Sequence, residues 1–128
     1  MLTRQEKMHP IESLEPVVSG EELLAMQKQI RGVRIETTIR DYIVDVVHET
    51  RNDKRLMLGA SPRGSIAVSR GAQALAAIEG RDYVIPDDIK FIASYLLVHR
   101  MIPKGDPTNR KLVEEILASI LDKVPAPV

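Results

Sequence analysis

The sequence lacks cysteine and tryptophan, and its aromatic side chains amount to one Phe and three Tyr. Without thiols the chain can form no disulfide, no thiolate metal site and no thiol nucleophile. Strand-rich domains generally use more Tyr, Phe, Trp and Thr, whereas a core of Ile, Leu, Val, Ala and Met suits closely packed helices. The scarcity of aromatic residues therefore favours an all-α fold, and a length of 128 residues fits one domain.

An excess of charge of one sign is also missing, because 18 Lys and Arg balance 18 Asp and Glu. Domains that bind nucleic acid generally carry a basic surface, so we expect no nucleic-acid partner. The three histidines, His9, His48 and His99, lack the spacing of a zinc site. No apolar run approaches the roughly 20 residues of a membrane span, and the polar beginning is unlike a signal peptide. We therefore expect a cytoplasmic protein without a membrane span or a metal site.

Capping signals and apolar periodicity predict the first two helices. Ser19 and Glu22 have the spacing of a capping box at the start of the first helix, and Gly32 ends it. In the second helix, apolar residues recur at steps of three and four positions along one face. That face consists of Ile39, Tyr42, Ile43, Val46 and Val47. The polar and charged segment that follows, residues 50–55, is expected to be solvated.

Proline and small residues mark the later helices. The Ser-Pro pair at 61–62 begins a third helix that is predicted to run to Gly80. Its predicted inner face consists of Ala67, Gly71, Ala74, Leu75 and Ile78. Pro86 begins a fourth helix, residues 101–105 are predicted to form a loop, and the Asp-Pro pair at 106–107 is predicted to cap a last helix.

These signals predict a single all-α domain over residues 1–128, a bundle of four main helices plus a C-terminal helix. Residues 1–18 are expected to form an irregular lead-in, and residues 107–128 to form the additional helix and its tail. The extended links at 33–35 and 83–85 are predicted to pair as a small two-stranded ribbon.

The segment at 59–63 (GASPR) carries the strongest chemical signal in the sequence. Ser61 at the N-cap and Pro62 at the first helical position define a helix terminus whose free N–H groups and positive dipole end can receive an anion. Arg63 is the second residue of this helix, so its planar guanidinium can reach a phosphate at the same end. The alternative is that Arg63 is a solvated residue of the first turn, where a cation is mildly unfavourable.

The order of several motifs resembles the lid domain of MoxR-family AAA+ ATPases over about residues 9–102. The matching strings are LGASPR at 58–63, GRDYVIPDDI at 80–89 and VHRM at 98–101, preceded by HP at 9–10, PV at 16–17, YIV at 42–44 and TR at 50–51. Gly64 departs from the Ala that the family tends to have, which predicts a softer start to the third helix. Glu36 and Ile85 stand where the family usually places a capping Thr, Ser or Asp.

The resemblance implies a lid that packs over a nucleotide bound to a separate P-loop core of the same protein. Arg63 occupies the position of the family's sensor 2 arginine, which contacts the γ-phosphate, with Ser61 and Pro62 at the helix start. Tyr42 and Ile43 lie on the helix that passes near the adenine in such lids, although core packing explains both equally well. The resemblance further implies Mg²⁺-ATP, a homo-hexameric ring, a chaperone-like role and partners with von Willebrand factor A domains.

Catalytic motifs of a P-loop ATPase are missing from the chain. A Walker A loop requires G-x-x-x-x-G-K-[ST], but Gly59 and Gly64 are followed by Ser65 without the lysine. The nearest string to a Walker B motif, YIVD at 42–45, lies on a predicted helix and continues with Val46. The chain alone is therefore predicted to be inactive in ATP hydrolysis. The alternatives to a lid are a stand-alone helical module that binds DNA or a module that binds another protein.

Overall fold

The structure, a computed structural model, describes residues 10–127, apart from the side chains of Pro10 and Glu12. The described part contains five α-helices, two short strands and two 3₁₀ turns. In chain order the helices and strands are α1 (Gly20–Ile30), α2 (Thr37–Asn52), β1 (Leu56–Leu58), α3 (Pro62–Ile78), α4 (Pro86–Leu97), β2 (Ile102–Pro103) and α5 (Arg110–Lys123). The 3₁₀ turns cover Pro10–Ser13 and Val98–Arg100. The all-α prediction is confirmed, while residues 1–9 of the predicted lead-in lie outside the described part.

One hydrophobic core joins α2, α3, α4 and α5. The predicted face of α2 is buried throughout, and Ile89 and Leu97 of α4 are wholly enclosed. The fifth helix packs into this core as well, because Ile116 and Leu117 have no exposed surface. Ala126 of the tail is partly buried against the same cluster. No helix among the described residues is long and apolar enough to cross a membrane.

The predicted cap of the last helix was wrong. Helix α5 begins three residues later than the Pro of the Asp-Pro pair, with Asn109 at the N-cap accepting a hydrogen bond from the Leu112 N–H at 3.0 Å. Asp106 instead accepts bonds from the N–H and the hydroxyl of Thr108, at 2.9 and 2.7 Å. These bonds hold residues 106–108 in a turn, and the chain has to leave that turn before the helix can start.

The first helix has the predicted capping box but adds nothing to the core. The Ser19 N–H donates to Glu22 Oε2 at 2.7 Å, and the Glu22 N–H donates to Ser19 Oγ at 3.1 Å. Helix α1 has no buried residue, and both Leu23 and Leu24 are exposed. It packs against α3 at the edge of the bundle.

Two short backbone pairings connect segments that lie between the helices. The predicted ribbon is present as a single parallel bridge, in which the Arg34 N–H donates to the Asp82 carbonyl at 2.8 Å and the Val84 N–H donates to the Arg34 carbonyl at 3.0 Å. The prediction of a plain loop at 101–105 was wrong, because β2 pairs with β1 in antiparallel orientation. Strands of two and three residues are too short to show the alternation that identifies a strand in a sequence.

The buried face of α3 differs from the predicted one. Buried positions recur every four residues, at Gly64, Val68, Ala72 and Ala76. Ile78 of the predicted face is 81% exposed, whereas Gly71 lies at the contact with α4. Both candidate faces of this helix consist mainly of small residues, so hydrophobicity did not distinguish them. The prediction of close helix packing is confirmed, since a Cβ on Gly71 would lie 2.6 Å from Leu96 Cδ1.

Candidate functional site

The start of α3 has the geometry that the Ser-Pro pair predicts. Ser61 has an extended backbone at the N-cap, and Pro62 takes the first helical position, where its missing N–H costs no hydrogen bond. The Ser61 hydroxyl forms no capping bond; the Gly64 N–H donates to the Ser61 carbonyl oxygen at 2.7 Å instead. The hydroxyl of Ser61 is therefore not needed to close the first turn.

Arg63 is exposed at the second position of α3. Within the described part of the chain its guanidinium forms neither a hydrogen bond nor an ion pair. A cation at a helix N-terminus opposes the helix dipole, so this position does not stabilise the isolated bundle. Pro62 has no N–H and the Gly64 N–H is bonded, so among the first three helical positions it is the Arg63 N–H that could join this cation in receiving an anion. An anion contact for Arg63 stays a prediction.

A buried hydroxyl at the end of α2 supports this helix start. Thr50 has no exposed surface, its Oγ1 accepts from the Ala60 N–H at 2.9 Å, and its hydroxyl donates to the Val47 carbonyl at 2.6 Å. The prediction of a solvated segment at 50–55 was therefore wrong for Thr50. Spacing would have identified it, because Thr50 follows Val46 and Val47 by four and three positions and thus shares their buried face.

Gly59 allows the two backbones to touch. A Cβ at this position would overlap the Thr50 carbonyl oxygen and would lie 2.7 Å from Arg51 Cα. Both obstacles are backbone atoms of α2, which cannot swing aside as a side chain can. The end of α2 and the residues that precede α3 are thus held in direct contact, through Gly59 and through the Thr50–Ala60 hydrogen bond.

Gly64 is buried against α4. A Cβ there would lie 3.0 Å from Leu97 Cδ2 and 3.4 Å from Ala60 Cβ. An alanine at this position would therefore require Leu97 to shift by a few tenths of an ångström. The glycine that predicts a soft helix start also lets the first turn of α3 pack closely on its neighbours.

Tyr42 and Ile43 lie inside the bundle, with 2% and 1% of their surface exposed. Within the described residues the Tyr42 hydroxyl has no hydrogen-bond partner. Burial raises the pKa of this hydroxyl, and the negative charges of Asp122 and Asp87 add to the effect. Core packing accounts for the positions of both residues, and their proximity to an adenine stays a prediction.

An ion pair between Arg81 and Asp88, which the sequence did not predict, lies at the N-terminus of α4. Arg81 donates from Nη1 and Nη2 to the two carboxylate oxygens of Asp88, at 2.8 and 2.6 Å. The same carboxylate accepts from the Ile85 N–H at 2.9 Å, and so binds the backbone at the N-cap, where Ile85 itself offers no side-chain acceptor. Burial opposes ionisation, but these bonds outweigh it and lower the pKa of Asp88 below its usual value of 3.8.

A small helical bundle with an exposed arginine at a Ser-Pro helix start is the architecture expected of an ATPase lid. The family model described as the AAA lid domain matches residues 48–120, which include α3 and α4. The uncharacterized protein YeaC of Bacillus subtilis is 43% identical over an alignment that covers 100% of this chain and 40% of YeaC. Chaperone MoxR1 of Mycobacterium tuberculosis is 31% identical over 87% of this chain and 32% of MoxR1.

A solved structure agrees with these sequence relatives. The crystal structure of an ATPase candidate from Cytophaga hutchinsonii matches with a TM-score of 0.80 and 29% identity, over 99% of this chain and 42% of that one. The chain thus spans less than half the length of each of these relatives. The chain belongs to the AAA lid domain family. Within that family it is the lid of a MoxR-type AAA+ ATPase.

Proposed function

We propose that this lid acts as the sensor 2 element of its ATPase, with Arg63 contacting the γ-phosphate of ATP bound to a separate P-loop core. The observation that carries the proposal is the placement of Arg63, exposed and without a partner among the described residues, at the second position of α3. The guanidinium offers a planar set of donors that matches phosphate oxygens. The backbone N–H of the same residue, at the second helical position, has no intrahelical acceptor.

Arg63 would act by stabilising negative charge that develops on the transferred phosphoryl group. A donor fixed before the reaction contributes more than one that must reorganise during it. The bundle shares one core, so closure of the lid would move Arg63 as part of a rigid body and pass the nucleotide state to the neighbouring subunit. Serine and proline at 61–62 would serve this role through the helix start that they define.

Mg²⁺ and the hydrolytic machinery would lie on the P-loop core. Among the described residues no group of three His, Cys, Asp or Glu side chains is placed to hold a metal ion. Bound there, Mg²⁺ would neutralise phosphate charge. ATP and Mg²⁺ are accordingly the proposed cofactors of the complete protein, and this chain would supply one phosphate contact.

The assembly is proposed on the family resemblance. A homo-hexameric ring, a chaperone-like activity and partners with von Willebrand factor A domains follow from it, and we propose a cytoplasmic location as well. The name of the relative Chaperone MoxR1 supports the chaperone-like role.

The test compares ATP hydrolysis by the complete ATPase that carries this lid with hydrolysis by its Arg63→Ala variant. We expect the variant to lose ~10²-fold or more in kcat, the size of a lost transition-state donor. Arg70→Ala is the matched control, because Arg70 is an exposed arginine of the same helix, seven residues further from its start. Equal losses in both variants, or none in either, would refute the sensor 2 role. The alternative of a module that binds another protein, without a nucleotide role, predicts full activity for both variants.

A further inference from the structure

We propose that Thr50 is a positioning residue for Arg63 and that the contact of Thr50 with Gly59 and Ala60 fixes where the guanidinium points. This inference rests on the proposed function. We use the name α2–α3 joint for the contact between Thr50, near the end of α2, and Gly59 and Ala60, which lie just before α3.

The joint is the last fixed point before the arginine. Ala60 precedes Arg63 by three residues, and the intervening pair is the Ser-Pro helix start. Ala60 has no exposed surface, so its N–H depends on Thr50 Oγ1 for a hydrogen bond. The Thr50 hydroxyl is itself oriented by its bond to the Val47 carbonyl, which leaves an oxygen lone pair for Ala60. The Thr50 hydroxyl thus fixes the backbone that leads into the first turn of α3, together with the close contact of Gly59 with the end of α2.

Other contacts of the connection between α2 and α3 lie further from the arginine. Arg55 donates to both carboxylate oxygens of Asp53, at 2.9 and 2.6 Å, and to Ser119 Oγ at 2.8 Å, which anchors the connection to α5. Strand β1 is held by β2. Both contacts precede Gly59 in the chain. Loss of the Thr50 hydroxyl would therefore leave these contacts and the packing of Gly64 against Leu97 in place, and would remove the hydrogen bond that fixes Ala60, three residues before Arg63.

Misplacement of Arg63 should lower the rate of ATP hydrolysis more than it lowers the affinity for ATP. A reacting group displaced by about 1 Å can cost as much as 10²-fold in rate. Removal of the hydroxyl leaves the Ala60 N–H buried and unpaired, so the local backbone is expected to shift toward another partner. Thr50→Val keeps the branched side chain but replaces the hydroxyl with a methyl group, which can neither accept from the Ala60 N–H nor donate to the Val47 carbonyl, and this makes it the informative change.

The experiment measures kcat and KM for ATP in the complete ATPase with Thr50→Val, Thr50→Ser, Arg63→Ala and the double variant. We expect Thr50→Val to lower kcat by roughly 10-fold or more with a smaller change in KM. Thr50→Ser retains the acceptor and is expected to keep most of the activity. In the double variant Arg63 is absent, so the Thr50 change can no longer misplace it. The kcat of the double variant is therefore expected to match that of Arg63→Ala within about twofold.

Two controls separate positioning from general damage. Thr108→Val removes a threonine hydroxyl that bonds to Asp106 at an exposed turn, and it should leave kcat unchanged. Thermal unfolding of every variant shows whether the assays report on folded protein. Should Thr50→Val not fold, Thr50→Cys takes its place, because its thiol is a weaker acceptor and should give an intermediate kcat.

The outcomes distinguish this inference from the proposed function. If the kcat losses of the two single variants multiply in the double variant, Thr50 acts independently of Arg63. That result would overturn the positioning role but not the sensor 2 role. An equal kcat loss in Thr50→Ser and Thr50→Val would overturn it as well. Full activity of Arg63→Ala would instead refute the proposed function.

Discussion

The buried carboxylate of Asp88 is held by the guanidinium of Arg81 through two short hydrogen bonds, at 2.6 and 2.8 Å. The side chain of Asp88 is 5% exposed, so the pair has little access to solvent on the carboxylate side. The same carboxylate accepts the N-cap N–H of α4, from Ile85. One side chain thus joins the link that follows α3 to the start of the next helix.

We predict that Asp88→Asn destabilises the bundle by about 2 kcal/mol, because it removes the negative charge that pairs with Arg81. An asparagine can still accept from the Ile85 N–H, so the loss reports mainly on the pair. The free energy of unfolding, measured in urea, checks the prediction. Asp87→Asn is the control, since Asp87 is the exposed neighbour in the same first turn. An equal effect of both changes would show that the helix dipole, rather than the pair, is responsible.

The stability of the chain should fall in acid through Asp88. Its pKa in the folded state is lower than the usual 3.8, so the unfolded chain takes up a proton first as the pH falls. The stabilisation is fully present above about pH 4 and is lost as the pH falls through the folded-state pKa. The free energy of unfolding, measured between pH 7 and pH 2, should therefore decrease as the pH falls, and we call this decrease the acid slope.

Asp88→Asn should reduce that acid slope without abolishing it. Asp53 has a lowered pKa too, chiefly because Arg55 donates hydrogen bonds to its carboxylate, so a part of the slope should remain. An unchanged slope in the Asn variant would contradict the assignment to Asp88.

Gly59→Ala should destabilise the bundle by about 1–3 kcal/mol, the range typical of overpacking. The added methyl group would meet the Thr50 carbonyl and Arg51 Cα, and relief requires the end of α2 and the start of α3 to move apart. Gly20→Ala is the matched control, because a Cβ on Gly20 meets nothing within 4 Å. Chemical unfolding of the two variants should therefore differ clearly. A Gly59→Ala protein as stable as the Gly20→Ala protein would show that the α2–α3 joint is loose.

Locally encoded features could be predicted from the sequence. The capping box of Ser19 and Glu22 and the buried face around Tyr42 depend on residues within a few positions of one another, where helical spacing decides the outcome. The Ser-Pro start of α3 belongs to the same class. These predictions placed Arg63 at the second position of its helix, and its phosphate contact stays a prediction.

Features that depend on distant partners could not be predicted in the same way. The bond between Thr50 and Ala60 joins residues ten positions apart, and β1 meets β2 across more than forty. Strands this short show no alternation of apolar and polar residues. Both faces of α3 consist mainly of small residues, so packing against α2 and α4 decides which face is buried. Asp88 could have been noticed as the acidic residue three positions after the N-cap of α4. Its pairing with Arg81 could be identified only from the structure.

Tyr42→Phe should leave the bundle as stable as before or more stable by about 1 kcal/mol. The Tyr42 hydroxyl is buried without a partner among the described residues, so its removal relieves the cost of desolvating a polar group. The ring, which fills the core, is kept. Thermal and urea unfolding check the direction, with Tyr95→Phe as the control because Tyr95 is 66% exposed and its hydroxyl remains open to water. A loss of more than 1 kcal/mol would mean that the hydroxyl has a bonding partner in solution. An unchanged KM for ATP in the complete ATPase would favour packing over adenine contact as the role of Tyr42, and a raised KM would favour the contact.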